Sequence, residues 1–505
     1  MKSFARIIAL FLIVASLLSL VSCRTLIKSY LLLKNADVTT DASGDESESA
    51  TAEQKVNAVF ASKLKSAEQG VSMAQFDVGY YYFEGLDVKQ DYEKAFEWFQ
   101  KAAYQGLADA QFYVGLCYYD GLGVEQNDEK AAEWFEISAK HGIPEGQYYI
   151  GMMYIFGEGV AQDYEEGAKW LEKSARQGDA DAQYNLGLCY WYGEGVAEDE
   201  DEAFKWIEKA AKQNLPEAQC DLGMFYLYGY GIDANAEKGI FWLEKAVDQD
   251  YCCAQYYLGD CYFYGIGVEQ NYEKAVELYS ESAKQDDVEA QYMLGYCYQH
   301  GFGVDKPNYQ IALTWYKKVA EEYGDIIEIG EIYYYGGYGV SQDFREAVRV
   351  FYSGANNDSA IHQYYLGLCY LNGEGVDKDT KIAVGWLEKS ADSNNTLAQE
   401  KLAECYFTGL DTLEQNYKEA FRLYRTASDL GSYTAQEKVG DFYMYGYGIA
   451  VSQEKAVEYY QMAAGNKNTS AMLKLAECYR YGYGVEQSDK KADMWLRRAE
   501  AQNQQ

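Results

Sequence analysis

Apolar and small residues in this chain recur at helical spacing in short blocks separated by glycine. Upstream of Gly193, the stretch from Ala182 to Tyr190 places Ala182, Leu186 and Tyr190 four residues apart, which predicts one apolar helical stripe. Gly187 within it allows a close backbone approach by a neighbour. After the loop Gly193-Glu194-Gly195-Val196 comes Asp199, a capping residue type. A second apolar stripe follows at Ala203, Trp206 and Ala210. The block therefore reads as helix A, glycine turn, helix B, short turn.

It repeats. The first loop glycines are Gly85, Gly121, Gly157, Gly193, Gly229, Gly265, Gly301, Gly337, Gly373, Gly409, Gly446 and Gly482, in steps of 36 residues with a single 37. Ten copies carry the second glycine, as in Gly121-Leu122-Gly123-Val124, and Asp87 and Asp411 replace it in the other two. The cap position holds Asp, Asn or Ser in all twelve copies, and helix B stops at residues that tolerate a left-handed backbone, such as Gly106, Gly142, Asn214 and Asp250. A fixed period of this length predicts an all-α array of stacked helix pairs, each unable to bury its apolar face alone. One disturbance, from Asp305 to Gly339, conserves overall length and predicts altered local helix packing.

Outside the repeats the pattern changes. Residues 1–23 carry Lys2 and Arg6, then an apolar run to Leu20, then Leu20-Val21-Ser22-Cys23, which resembles a bacterial lipobox. That resemblance implies lipidation of Cys23 and an exported protein held at the bacterial cell envelope, at the outer membrane or the periplasmic face. An uncleaved anchor and an ordinary cleaved signal are the alternatives. Residues 24–51 read as a flexible tether, 52–70 as a capping helix, 71–501 as the array and 502–505 as a tail.

The net charge of −35 argues against a phosphate-backbone partner, because nucleic-acid binding needs clustered Lys and Arg. It permits a basic protein partner, although acidity that merely keeps a long array soluble is the simpler reading. With 52 Tyr and only three Pro, the chain suits helices joined by tight turns and rich in aromatic contacts.

The pattern Ala-x-x-x-Leu-Gly-x-x-Tyr, Gly-x-Gly-Val, Lys-Ala-x-x-Trp-x-x-Lys-Ala-Ala resembles the Sel-one-like repeat, a relative of the tetratricopeptide repeat. The resemblance implies an α/α superhelical solenoid, right-handed, whose concave side holds proteins or peptides, in members that commonly act as adaptors. Some relatives pair two cysteines per repeat and are linked to β-lactam or cell-wall-fragment binding. Most repeats here carry a single cysteine, which argues against that alternative, and an adaptor of the eukaryotic secretory pathway is another.

Candidate chemistry is sparse. The glycine loops lack the third glycine or the Lys-Ser/Thr pair of a phosphate cradle and follow a helix, so they are turns. Gly121, Gly123, Gly193 and Gly195 are therefore structural. Seven cysteines, including Cys117 and Cys189, share one helix A register and read as packed small side chains. Cys252 and Cys253, with Cys220, could react or bind metal, but packing is again the simpler reading. His141, His300 and His362 lie in separate repeats; His141 suits a helix C-terminus, and nothing in the sequence accounts for His362. No catalytic, cofactor or metal residues are expected.

Partner specificity is expected instead on a variable helix A stripe, apolar in the early copies at Phe76, Tyr80, Phe83, Phe112, Tyr119, Tyr148, Tyr184 and Trp191 and charged in the last ones. Packing between repeats is the alternative for these aromatics. Trp206 is expected in the core, where burying roughly 150 to 250 Å² would contribute about 4 to 6 kcal/mol.

Overall fold

The computed structural model describes residues 59–503. Cys23, the tether and the start of the capping helix lie outside them, and residues 59–68 of that helix are helical. The chain divides into two compact units, Met1–Gln177 and Gly178–Gln505. The 36-residue step runs unbroken from Gly157 to Gly193 and carries no mark of this division.

In the first unit three helix pairs follow residues 59–68: Ser72–Glu84 with Tyr92–Ala103, Ala108–Asp120 with Asp128–Lys140, and Pro144–Phe156 with Tyr164–Gln177. The second unit holds nine more pairs, beginning with Ala180–Tyr192 and Glu200–Lys212 and ending with Thr469–Tyr481 and Asp489–Asn503. Apart from helix and turn, the described residues hold only two isolated bridges, Gly337 with Val340 and Leu410 with Leu413.

The same local devices build both units. At every helix B start the capping side chain accepts a backbone N–H two or three residues on, for example Asp91 from Lys94, Asp199 from Glu202 and Ser452 from Lys455. Helix A usually ends on a left-handed glycine, such as Gly121 at φ 69° and Gly193 at φ 71°. Asn214, Asp250, Asp286 and Asn394 adopt positive φ after helix B, as their residue types suggest.

The second loop glycine has an additional reason. A Cβ on Gly123 would overlap the carbonyl oxygen of Tyr92, and one on Gly231 would overlap that of Glu200, so the loop of one repeat rests directly on the preceding helix B. In ten of the twelve pairs a helix A glycine admits a large helix B side chain, Ala403 and Ala476 standing in its place in the other two. A Cβ on Gly115 would sit 2.7 Å from the ring of Phe135, and one on Gly187 2.7 Å from Ile207.

That contact corrects the expectation for Trp206. The residue facing Gly187 is Ile207, fully buried together with Ala203, Ala210 and Ala211. Trp206 lies one position round the helix, partly exposed, with the Lys209 ammonium 3.4 Å from its ring centroid. The same Trp-x-x-Lys pairing recurs at Trp98 with Lys101 and at Trp386 with Lys389.

Within a repeat, a buried helix A glutamine also ties that helix to the end of helix B. Gln105 donates to Gln75, Gln177 to Gln147, Gln213 to Gln183 and Gln249 to Gln219, all at 2.7 to 2.9 Å. His141 takes the same place in its repeat, 2.9 Å from Gln111, besides capping its helix. The seven cysteines in register are buried free thiols, and burial pushes Cys117 and Cys189 up to about 12.

His362 also finds an explanation. It is buried where most other repeats carry alanine, and Gly354 on the facing helix B stands where most of them carry alanine or serine, because a Cβ there would overlap the imidazole ring. Its Nδ1 lies 2.8 Å from Ser359 Oγ, and burial holds its pKa below the usual histidine value. The disturbance near residue 320 is an over-long helix B, Tyr309–Tyr323, followed by a nine-residue helix A, Ile327–Tyr335.

Candidate functional site

Helix A of the second unit carries a row of tyrosines and carboxylates that bond across repeats. Tyr184 donates to Asp221 at 2.9 Å, Tyr292 to Glu328 at 2.6 Å and Tyr365 to Glu331 at 2.6 Å. Tyr279, from a helix B, donates to Asp260 at 2.6 Å. The first three bonds link neighbouring repeats that the period of about 36 residues brings side by side, whereas Tyr279 and Asp260 join helix B to helix A within one repeat.

The electrostatics of the row are one-sided. Burial pushes Asp221, Asp260 and Asp287 up to about 6, although Tyr184, Tyr279 with Tyr256, and the Ala290 N–H respectively favour their ionised forms. Asp181 is raised by burial and by the Glu217 charge, and Glu217 by burial. One oxygen of Glu217 is enclosed without a hydrogen-bond donor. No lysine or arginine is among the causes of these shifts, and among the described residues none of the five carboxylates has an ion-pair partner.

The end of the same unit contains the arrangement with its counter-charge in place. Lys474 bonds Glu437 and Asp441, each at 2.6 Å, while Tyr460 donates to Asp441 at 2.7 Å just as Tyr279 does to Asp260. Burial works against ionisation of Glu437, yet the Lys474 ammonium with Ser470 and Asn468 holds its carboxyl below the usual range. Lys474 lies eight residues before its loop glycine. The matching residue in the repeat after Asp260 is Met293, which brings no charge.

The aromatics singled out in the sequence are divided between the units: six lie in the first, Tyr184 and Trp191 in the second. In the first unit they form a packed ring network. Phe76 meets Phe99 and Tyr113 at 5.7 and 5.5 Å, Tyr80 meets Tyr113 at 5.9 Å, and Phe112 and Tyr119 both meet Tyr149, as does Tyr148. Phe83 is 4% exposed and belongs to the core, a correction to its expected role as a partner contact. The Phe83 ring meets Phe99 of its paired helix B at 5.9 Å. The Trp191 ring instead meets Phe225 of the next repeat at 4.8 Å. Tyr184 alone of the eight enters the carboxylate row.

Sequence reasoning missed the carboxylates of the row. Asp221 and Asp260 occupy different helix A registers, so no column of the repeat lists them together. The signal was available as acidic residues on an apolar helix face, at Asp221 after Cys220 and at Asp260 before Cys261.

The comparisons with known proteins agree with this geometry. The Sel1 repeat model matches twelve segments, from 72–107 to 469–504. The chain belongs to the Sel1 repeat family. The crystal structure of c5321, a protective antigen of uropathogenic Escherichia coli with an SLR fold, is similar at 30% identity and a TM-score of 0.69, covering 88% of this chain and 93% of that one. A Sel1 repeat protein from Oxalobacter formigenes is 28% identical over 68% of this chain and 89% of its own, with a TM-score of 0.38. No curated protein sequence matched. Membership makes this a helical repeat protein of a kind suited to protein–protein interaction.

Proposed function

We propose that the chain is a non-catalytic scaffold, exported and lipid-anchored through Cys23 at a bacterial cell envelope, whose second unit holds a Lys- or Arg-bearing segment of a partner protein. The segment lies along the row from Tyr184 to Tyr365, placing cations against Asp221 and Asp260. The observation that carries this reading is Lys474, which shows within the chain how an ammonium pairs with a carboxylate at the register of Asp260, at Asp441. Tyrosines beside the carboxylates add apolar contact and ring faces for the same cations. The similar uropathogenic Escherichia coli protein is a protective antigen, which accords with presentation at the cell envelope.

A photo-crosslinking residue in place of Tyr256, in the full chain expressed in its native membrane, tests this. Crosslinked peptides rich in Lys or Arg are expected, and their loss in Asp221→Asn/Asp260→Asn. Crosslinks to acidic or uncharged segments, or crosslinks unaffected by that variant, contradict it.

A further inference from the structure

Cys252 and Cys253 depart from the register of the seven packed cysteines. They are the first two residues of helix Cys252–Tyr264, after Tyr251, and both are partly exposed. Their sulfurs lie 4.0 Å apart. A carboxylate oxygen of Asp287, the capping residue of the next helix A, lies with both sulfurs inside a sphere of contact in which no two of the three atoms are more than 4.8 Å apart. Asp287 accepts the Ala290 N–H at 2.8 Å, and Ser282 donates to the Cys252 carbonyl at 2.9 Å, so both helix starts are held in place.

We propose that Cys252, Cys253 and Asp287 form a binding site for a thiophilic divalent cation of the zinc class. Two thiolates at about 2.3 Å from a tetrahedral ion stand about 3.8 Å apart, and a carboxylate oxygen binds at about 2.0 to 2.2 Å. The sulfur separation therefore needs only a small inward shift. The neighbouring Cys252 sulfur and burial hold the Cys253 thiol above its ordinary value, so the cation must displace that proton. On binding, each thiol releases its proton to solvent, two sulfur–metal bonds and one oxygen–metal bond form, and the fourth position is left to water. Nothing is oxidised or reduced. Adjacent Cα atoms stand about 3.8 Å apart, below the roughly 4.4 to 6.8 Å of ordinary disulfides, so a disulfide between the two would strain the first helical turn.

Cobalt(II) titration of the full chain, reduced and stripped with chelator, provides the test. One equivalent should produce thiolate-to-metal charge-transfer absorption with the visible bands of a tetrahedral ion, and zinc should displace it. Cys252→Ser/Cys253→Ser should abolish the signal, Asp287→Asn should weaken affinity by about ten-fold or more, and Cys220→Ser should leave it unchanged. Circular dichroism of each variant separates loss of ligand from loss of fold. Absence of the bands, their persistence in the double cysteine variant, unaltered affinity in Asp287→Asn, or a mass two hydrogens short across Cys252 and Cys253 would overturn the proposal.

Discussion

Replacing Asp260 with Asn should make the protein more stable at neutral pH. Burial raises this carboxyl from 3.8 to about 6. Below the lower value it is protonated in both folded and unfolded chains and contributes no difference. As pH rises between the two values, the unfolded chain loses the proton while the folded chain keeps it, so stability falls. Above about 6 the whole penalty is present. A shift of about two units at about 1.4 kcal/mol each is about 3 kcal/mol, reduced to about 1 to 3 kcal/mol because the side chain keeps partial access to water. Asn cannot ionise and still accepts the Tyr279 hydroxyl through its own oxygen. Urea unfolding of the full chain, followed by circular dichroism at pH 4 and pH 7.5, should give a gain for Asp260→Asn that is near zero at the lower pH and about 1 to 3 kcal/mol at the higher. The remaining carboxylates are common to both proteins and cancel. A variant no more stable at pH 7.5, or one with the same gain at both pH values, would refute the reasoning.

Other substitutions separate core from surface. Ile207→Ala should lower stability by about 2 to 5 kcal/mol, whereas Trp206→Ala, which removes a partly exposed ring and its Lys209 contact, should cost clearly less in the same melts. Gly115→Ala places a methyl 2.7 Å from Phe135 and should cost about 1 to 3 kcal/mol; an unchanged midpoint contradicts the close approach. Gly354→Ala should destabilise in the presence of His362 and much less in His362→Ala, a coupling of about 0.5 to 3 kcal/mol, and additive effects would show that the two do not share space. Mass spectrometry of the mature N-terminus should find an acylated Cys23, and an unmodified terminus rules out the anchor.

The repeat made most of the fold legible. The glycine step, the twelve caps and the left-handed residues ending helix B are local backbone requirements, and each residue type states its own. What the sequence left open was rotation about a helix axis. Ala203, Trp206 and Ala210 satisfy helical spacing as well as Ala203, Ile207 and Ala210 do, and only the opposing Gly187 decides that Ile207 faces inward. His362 was unreadable alone because its space is made by Gly354 on another helix. The carboxylate row was hidden for a related reason: Tyr184 and Asp221 are 37 residues apart and meet only after two repeats stack. The aromatics of the first unit were visible as a stripe, but a stripe does not say whether rings meet one another or a partner.

The account turns on the carboxylate row as a receptor for basic segments. Calorimetric titration of the full chain with a short Lys- and Arg-rich peptide tests it most directly, comparing wild type with Asp221→Asn/Asp260→Asn at pH 7.5 and wild type again at pH 5. Binding is expected at pH 7.5, at least about ten-fold weaker in the variant, since each lost buried charge pair is worth about 1.4 kcal/mol or more, and weaker at pH 5, where groups raised to about 6 become protonated. Equal affinity in wild type and variant, unchanged by pH, would contradict it.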